Sequence, residues 1–245
     1  MKKLIILFLL LSSTTTFAQK RSGKVQYKHT FNWIKIYQEL PFLSQKEKDR
    51  IQLVWGKEES TSTNMDLIFN PSESLYTYGT SDEVVRYAQR EEDFVIYRNF
   101  ENKTIVELRE TLGKSYLIEE SMPNQQWRIM NDLKEIQGHL CMKAIRTDTV
   151  KKQEIVAWFA ADIPVSMGPE LCYGLPGLIL GLDINNGNVI IEADKLELFD
   201  EPMEVKLPKK MKGKVISLND LNVKIMEHIK TSTAAQNNPY WAMRY

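Results

Sequence analysis

Apolar and polar residues alternate along most of this chain, the period-two signature of strands with one covered face. Residues 24–31, Lys-Val-Gln-Tyr-Lys-His-Thr-Phe, read as a first strand. From Met65 onward the pattern becomes regular. Residues 65–69 lead through the turn Asn70-Pro71-Ser72 into 74–78, and strands follow at 94–100, 104–108, 115–119 and 126–130. Gly113 and Pro123 mark breaks between them. Residues 134–137 and 140–146 flank Gly138, and 154–160 is a strongly apolar strand. The clearest hairpin runs from 178–184 through Asn185-Asn186-Gly187 to Val189, because Asn-Gly tolerates the positive φ of a tight turn. Even spacing and short connections predict an antiparallel meander.

Helical signals are fewer. Ser44 with Glu47 has the form of a capping box and opens a short helix toward Arg50, whereas 51–55 fits strand equally well. Near the C-terminus, Ser217 with Asp220 reads as a helix start, and Leu218, Leu221, Ile225 and Ile229 recur at helical spacing, predicting an amphipathic helix over 218–230. The predicted fold is α+β and mostly β: an antiparallel meander curled into an open or partial barrel, with a C-terminal amphipathic helix. Residues 231–245 form a tail expected to be poorly ordered unless Tyr240 and Trp241 dock.

The first eighteen residues depart from this pattern. Lys2 and Lys3, the apolar run 4–11 and the small-x-small site Thr16-Phe17-Ala18 read as a secretory signal peptide over 1–18. The apolar run is too short to span a bilayer. Gln19, rather than cysteine, follows the cut, so the mature chain is expected to be soluble, exported and not lipid-anchored. Residues 19–230 then make a single domain. Charge excludes one partner class. The chain has 32 basic and 32 acidic residues, and without Lys2 and Lys3 the count is 30 against 32, a formal charge of −2. Such a balance cannot neutralise a phosphate backbone, so no nucleic-acid partner is expected.

Candidate chemistry is sparse. In Gly174-Leu175-Pro176-Gly177, Pro176 supplies the fixed φ of a turn and Gly177 the positive φ of its type II form, while 178–182 reads as a strand covered on both faces. His139, Cys141 and Met142 group three soft-metal ligands, with Met167 and Cys172 downstream. In a strand His139 and Cys141 share a face that Met142 does not, so at most two could bind one ion unaided. A Cys141–Cys172 disulfide is the competing reading, permitted in an oxidising compartment. Trp33, Trp55, Trp127, Trp158, Trp241, Tyr76, Tyr78 and Tyr173 could line a concave sheet that holds an apolar ligand. Glu91-Glu92-Asp93 reads as a solvated loop. Metalloprotease, nucleophile-elbow, phosphate-loop and dinucleotide motifs are missing, and His29, His139 and His228 have no sequence-level partner, so neither enzyme activity nor a cofactor is expected.

Several of these patterns together resemble the GLPGLI family of exported bacterial proteins. Asp66-Leu67-Ile68-Phe69-Asn70, Glu73-Ser74-Leu75-Tyr76, Trp127-Arg128-Ile129, Lys134-Glu135-Ile136-Gln137-Gly138 and Ala157-Trp158-Phe159 lead in order to the Gly174–Leu180 signature. The resemblance covers about residues 65–199. His139, where members more often carry tyrosine, and Cys172 depart from the pattern. The resemblance implies export in Bacteroidetes-like bacteria, a β-rich domain without assigned activity, and association with outer-membrane transport components. The expectation is therefore an exported, non-catalytic binding or accessory protein of the periplasm or cell envelope. Two alternatives stand beside it: a soft-metal or thiol protein using His139, Cys141 and Cys172, and a structural partner of an outer-membrane protein.

Overall fold

The computed structural model describes residues 22–56, 61–79 and 94–243. The signal-like segment 1–18 and the acidic run Glu91-Glu92-Asp93 lie outside the described residues. The first half of the sheet comprises β1 (Ser22–Phe31), β2 (Thr61–Phe69), β3 (Glu73–Tyr78), β4 (Val95–Asn99), β5 (Thr104–Thr111) and β6 (Lys114–Ser121). The second comprises β7 (Arg128–Ile136), β8 (His139–Asp148), β9 (Gln153–Ala160), β10 (Leu178–Ile184), β11 (Val189–Phe199) and the two-residue β12 (Lys214–Val215).

Among the described residues, the twelve strands belong to one sheet, in the order β12-β6-β5-β4-β3-β2-β1-β11-β10-β9-β8-β7. β2 to β6 are consecutive hairpins, and so are β7 to β11. β1 stitches the two meanders together by pairing with β2 on one side and β11 on the other. Among the described strands β12 alone runs parallel to its neighbour, β6. The end strands β12 and β7 are not bonded to each other, so this is an open, partial barrel.

Register selects the inner face. Val25 pairs with Leu67, Leu67 with Tyr76, and Tyr76 with Ile96, and all four have no exposed surface. The same face continues from His29 through Ile191 and Leu182 to Ala157. Each large apolar side chain buried here contributes about 1.5–3 kcal/mol. β10 is buried at every position except Asp183.

Three α-helices occur among the described residues. Asn32 caps α1 (Trp33–Gln38), its side chain accepting from the Lys35 amide. α2 (Gln45–Trp55) carries both halves of the Ser44–Glu47 capping box, which settles 51–55 as helix. α3 (Leu218–Ala234) runs past the expected end at Lys230 and packs Leu221 and Ile225 on Tyr116 and Ile118 of β6. The tail docks: a 3₁₀ turn (Pro239–Ala242) follows, and the Leu112 amide donates to the Ala242 carbonyl at 2.7 Å.

The signature turn differs from its expectation. Gly177 does not have a positive φ; in this segment Gly174 does, at +89°. Gly177 is needed for space instead, because a Cβ there would lie 2.2 Å from the Ala160 carbonyl oxygen. The β10–β11 hairpin stands, with a four-residue connection in which Asn185, Asn186 and Gly187 all take positive φ.

Candidate functional site

The segment 161–177 between β9 and β10 carries the signature, and it fills the concave face. Ile163, Val165 and Met167 are buried while Pro164 and Ser166 are exposed, a strand-like alternation without a neighbouring ladder. Buried backbone must be bonded, and the segment largely bonds to itself and to β10. The Leu178 amide donates to Ile163 O and the Ile179 amide to Met167 O, both at 2.9 Å.

Arg98 ties the segment to the barrel. On β4, Ile96 and Arg98 point the same way, and Arg98 has no exposed surface. Its Nη1 donates to the Gly168 carbonyl at 3.0 Å and to Ser74 Oγ at 3.2 Å, and its Nη2 donates to the Glu170 carbonyl. The guanidinium also lies 5.8 Å from the centroid of the Tyr173 ring. Burial pulls the Arg98 pKa down, while Cys172, Tyr173 and Glu170 work to keep the charge. Glu170 sits at φ +52° with its carboxylate 3.7 Å from His29 Nε2.

Further charges surround this anchor. Glu107 is 2% exposed, 3.0 Å from Arg109 Nε, and burial raises its pKa against the pull of that guanidinium. Burial pushes Lys151 down to about 8, against Asp148. Sequence reasoning missed Arg98, Glu107 and Glu170 altogether. One signal was present: alternation along 94–100 groups Arg98 with Phe94, Ile96 and Phe100, an arginine on an apolar face. Because Nη1 and Nη2 of the guanidinium donate to two loop carbonyls and Ser74, the network is an anchor for the signature segment. A small cavity lined by Ile36, Gln153, Ile184, Asn188, Val189 and Tyr240 measures about 10 Å³, the size of one water.

The residues singled out from sequence are dispersed. His139 Nδ1 lies 2.6 Å from Asp162 Oδ2. Cys141 donates to the His139 carbonyl at 3.5 Å, and burial, with the Asp162 carboxylate second, pushes its thiol up to about 11. Cys172 lies in the buried segment and accepts from Arg146 Nη2 at 3.5 Å. The competing reading, a Cys141–Cys172 disulfide, is not formed; both thiols are free, each held by a different partner. The soft-metal set is likewise divided between β8 and the segment. Among the described residues no three His, Cys, Asp or Glu side chains gather to hold a metal.

The other distinctive surface is an edge. Among the described residues β7 is bonded to β8 alone. Ile129 pairs with Ala144 and Leu133 with Met142, and the register shifts across Met130, Asn131 and Asp132 between them. Ala144 and Met142 pair onward with Ala157 and Phe159, which are buried. Ile129, Leu133 and Leu140 thus form the margin of the core-lining face, and they are 47%, 57% and 60% exposed.

A family model described as "protein of unknown function (Porph_ging)" matches residues 146–181, from late β8 through the buried segment into β10. No curated protein matches the chain. Two solved structures, of PNGF-II in the C2 and P21 space groups, are similar over 84% of this chain, with TM-scores of 0.52 and 0.53 and 15% sequence identity. The likeness is one of fold. The chain spans about a third of the length of those structures, covering 32% and 33% of them.

Proposed function

We propose that this chain is an exported, non-catalytic accessory protein of the cell envelope, of the GLPGLI type, which holds a partner protein along β7. The signal-like N-terminus and the ordered family motifs support export and membership. The apolar margin of β7 carries the choice of a protein partner over an apolar ligand. An edge strand offers unpaired N–H and C=O groups, and a partner strand laid against it extends the sheet while covering Ile129 and Leu133. The packing of Ile163, Val165, Met167 and Leu175 from segment 161–177 into the core supports the same reading, since a carrier needs that space open.

Photo-crosslinking from position 133 in the native envelope tests this, with position 223 on the exposed side of α3 as control. One defined partner is expected at 133, lost in an Ile129→Lys, Leu133→Lys double variant that melts like the parent. Equal crosslinking at both positions, or a product that survives the double substitution, refutes the reading.

A further inference from the structure

The segment between β11 and α3 concentrates one sign of charge. Residues 205–219 hold five lysines, Lys206, Lys209, Lys210, Lys212 and Lys214, and no acidic residue. The segment is pinned at both ends. The Met203 amide donates to Ser22 Oγ at 3.1 Å, and the Met203 carbonyl accepts from Asn70 Nδ2 at 3.0 Å. At the far end β12 pairs with β6, and the Ile216 amide donates to the Leu117 carbonyl at 3.0 Å. The chain therefore runs as a strap from β1 to β6. Its apolar side chains turn to the protein and its lysines away: Val205 is buried, Leu207 and Met211 are half-buried, and all five lysines are exposed.

A block of like charges repels itself, and pinned ends keep this one from spreading. Lys206 pairs with Glu204 at 2.8 Å, whereas among the described residues Lys209, Lys210, Lys212 and Lys214 form no ion pair. An anionic partner relieves that repulsion. Three features select a bilayer over other polyanions. First, residues 200–239 contain no arginine, tryptophan, tyrosine or phenylalanine, so the strap has no fork for a single phosphate and no ring for a base. Second, compact, mobile ammonium groups suit a diffuse negative potential. Third, Val215 is 73% exposed beside Lys214 and offers an apolar side chain to the boundary between headgroups and acyl chains.

We infer that this lysine strap docks the protein on an anionic bilayer surface, its ammonium groups among the lipid phosphates and Val215 at the acyl boundary. β12 and β7 stand at opposite ends of the strand order, so the site is separate from the β7 edge and does not depend on the partner reading.

The test is co-sedimentation of the purified chain with vesicles of phosphatidylcholine alone and of an equal mixture of phosphatidylcholine and phosphatidylglycerol. Binding to the mixed vesicles is expected, weakening steeply as salt is raised. A Lys209→Gln, Lys210→Gln double variant should bind about thirty-fold more weakly, since each lysine near such a surface contributes about five-fold. Lys46→Gln with Arg50→Gln removes the same charge from the exposed side of α2 and should stay within a few-fold of the parent. Parent and variants share their N-terminal residues, so the differences report the strap. With no substitution at all, mixed vesicles should slow tryptic cleavage after Lys209, Lys210 and Lys212 and leave cleavage after Lys46 unchanged. The inference is overturned if phosphatidylglycerol adds no binding, if the two double variants lose equally, or if vesicles leave the strap as open to trypsin as before. Lys209-dependent binding to a DNA duplex or to heparin that is tighter than to vesicles overturns it equally.

Discussion

Arg98 on β4 donates from Nη1 to the carbonyl of Gly168, 70 residues further along the chain, at 3.0 Å. That bond, with the one to Glu170 O, makes a buried side chain on β4 a fastening for the middle of segment 161–177, while its third goes to Ser74 Oγ on β3.

Replacing Arg98 by methionine should keep the volume and leave two buried carbonyls short of a donor. The expected loss is about 3–5 kcal/mol of unfolding free energy, with faster proteolysis within 161–177. Arg98→Lys should rescue little, since an ammonium cannot present two donors in the same fork. Urea midpoints check both, and a loss under about 1 kcal/mol for the methionine variant would contradict the anchoring role.

The two signature glycines should fail for different reasons. In Gly177→Ala the new Cβ meets backbone, with Ala160 O at 2.2 Å and Ala160 C at 2.7 Å, so it should cost about 3 kcal/mol. Gly174 has nothing within 4 Å of an added Cβ, and only its φ of +89° resists. Gly174→Ala should therefore cost about 1–2 kcal/mol. Thermal melts of the two variants should preserve this ranking.

Both cysteines should titrate as thiols in denaturant without a reductant. In the folded chain Cys141 should react very slowly with iodoacetamide near neutral pH, because it is buried and its pKa is pushed up to about 11. Mass spectrometry after alkylation counts them directly. Finding neither cysteine alkylated would reinstate a disulfide.

Lys151 gives a pH dependence of known sign. Its folded pKa, about 8, lies below the ordinary lysine value of 10.5, so between these limits the unfolded chain binds more protons. Stability from this group rises with pH across that window and is lowest below it. Asp148, Arg109, Glu170 and Glu107 all act on this ammonium. Against Lys151→Met, the parent should gain stability from about pH 7 to about pH 9.5, as read from paired urea midpoints. A constant difference would show that Lys151 ionises alike in both states.

Local chemistry was legible in two self-contained motifs, but not at Gly177, whose requirement comes from the backbone of Ala160. The Ser44–Glu47 box and the Asn185-Asn186-Gly187 turn act within a few residues, so their types could be read directly. β7 was read as two pieces, 126–130 and 134–137, because a register shift breaks its alternation and an edge needs less of it. α1, at six residues, is too short to show a helical period.

What the sequence determined by itself is the strand-by-strand meander and the amphipathic α3, since alternation and capping depend on neighbours in the chain. The tertiary structure decided the rest: that 161–177 turns inward, that Arg98 receives it, that the cysteines stay apart, and that Trp33 meets Trp241. These contacts join residues far apart in sequence, and curling of the sheet about β1 brings them together. No local pattern encodes how an open barrel fills its own concavity.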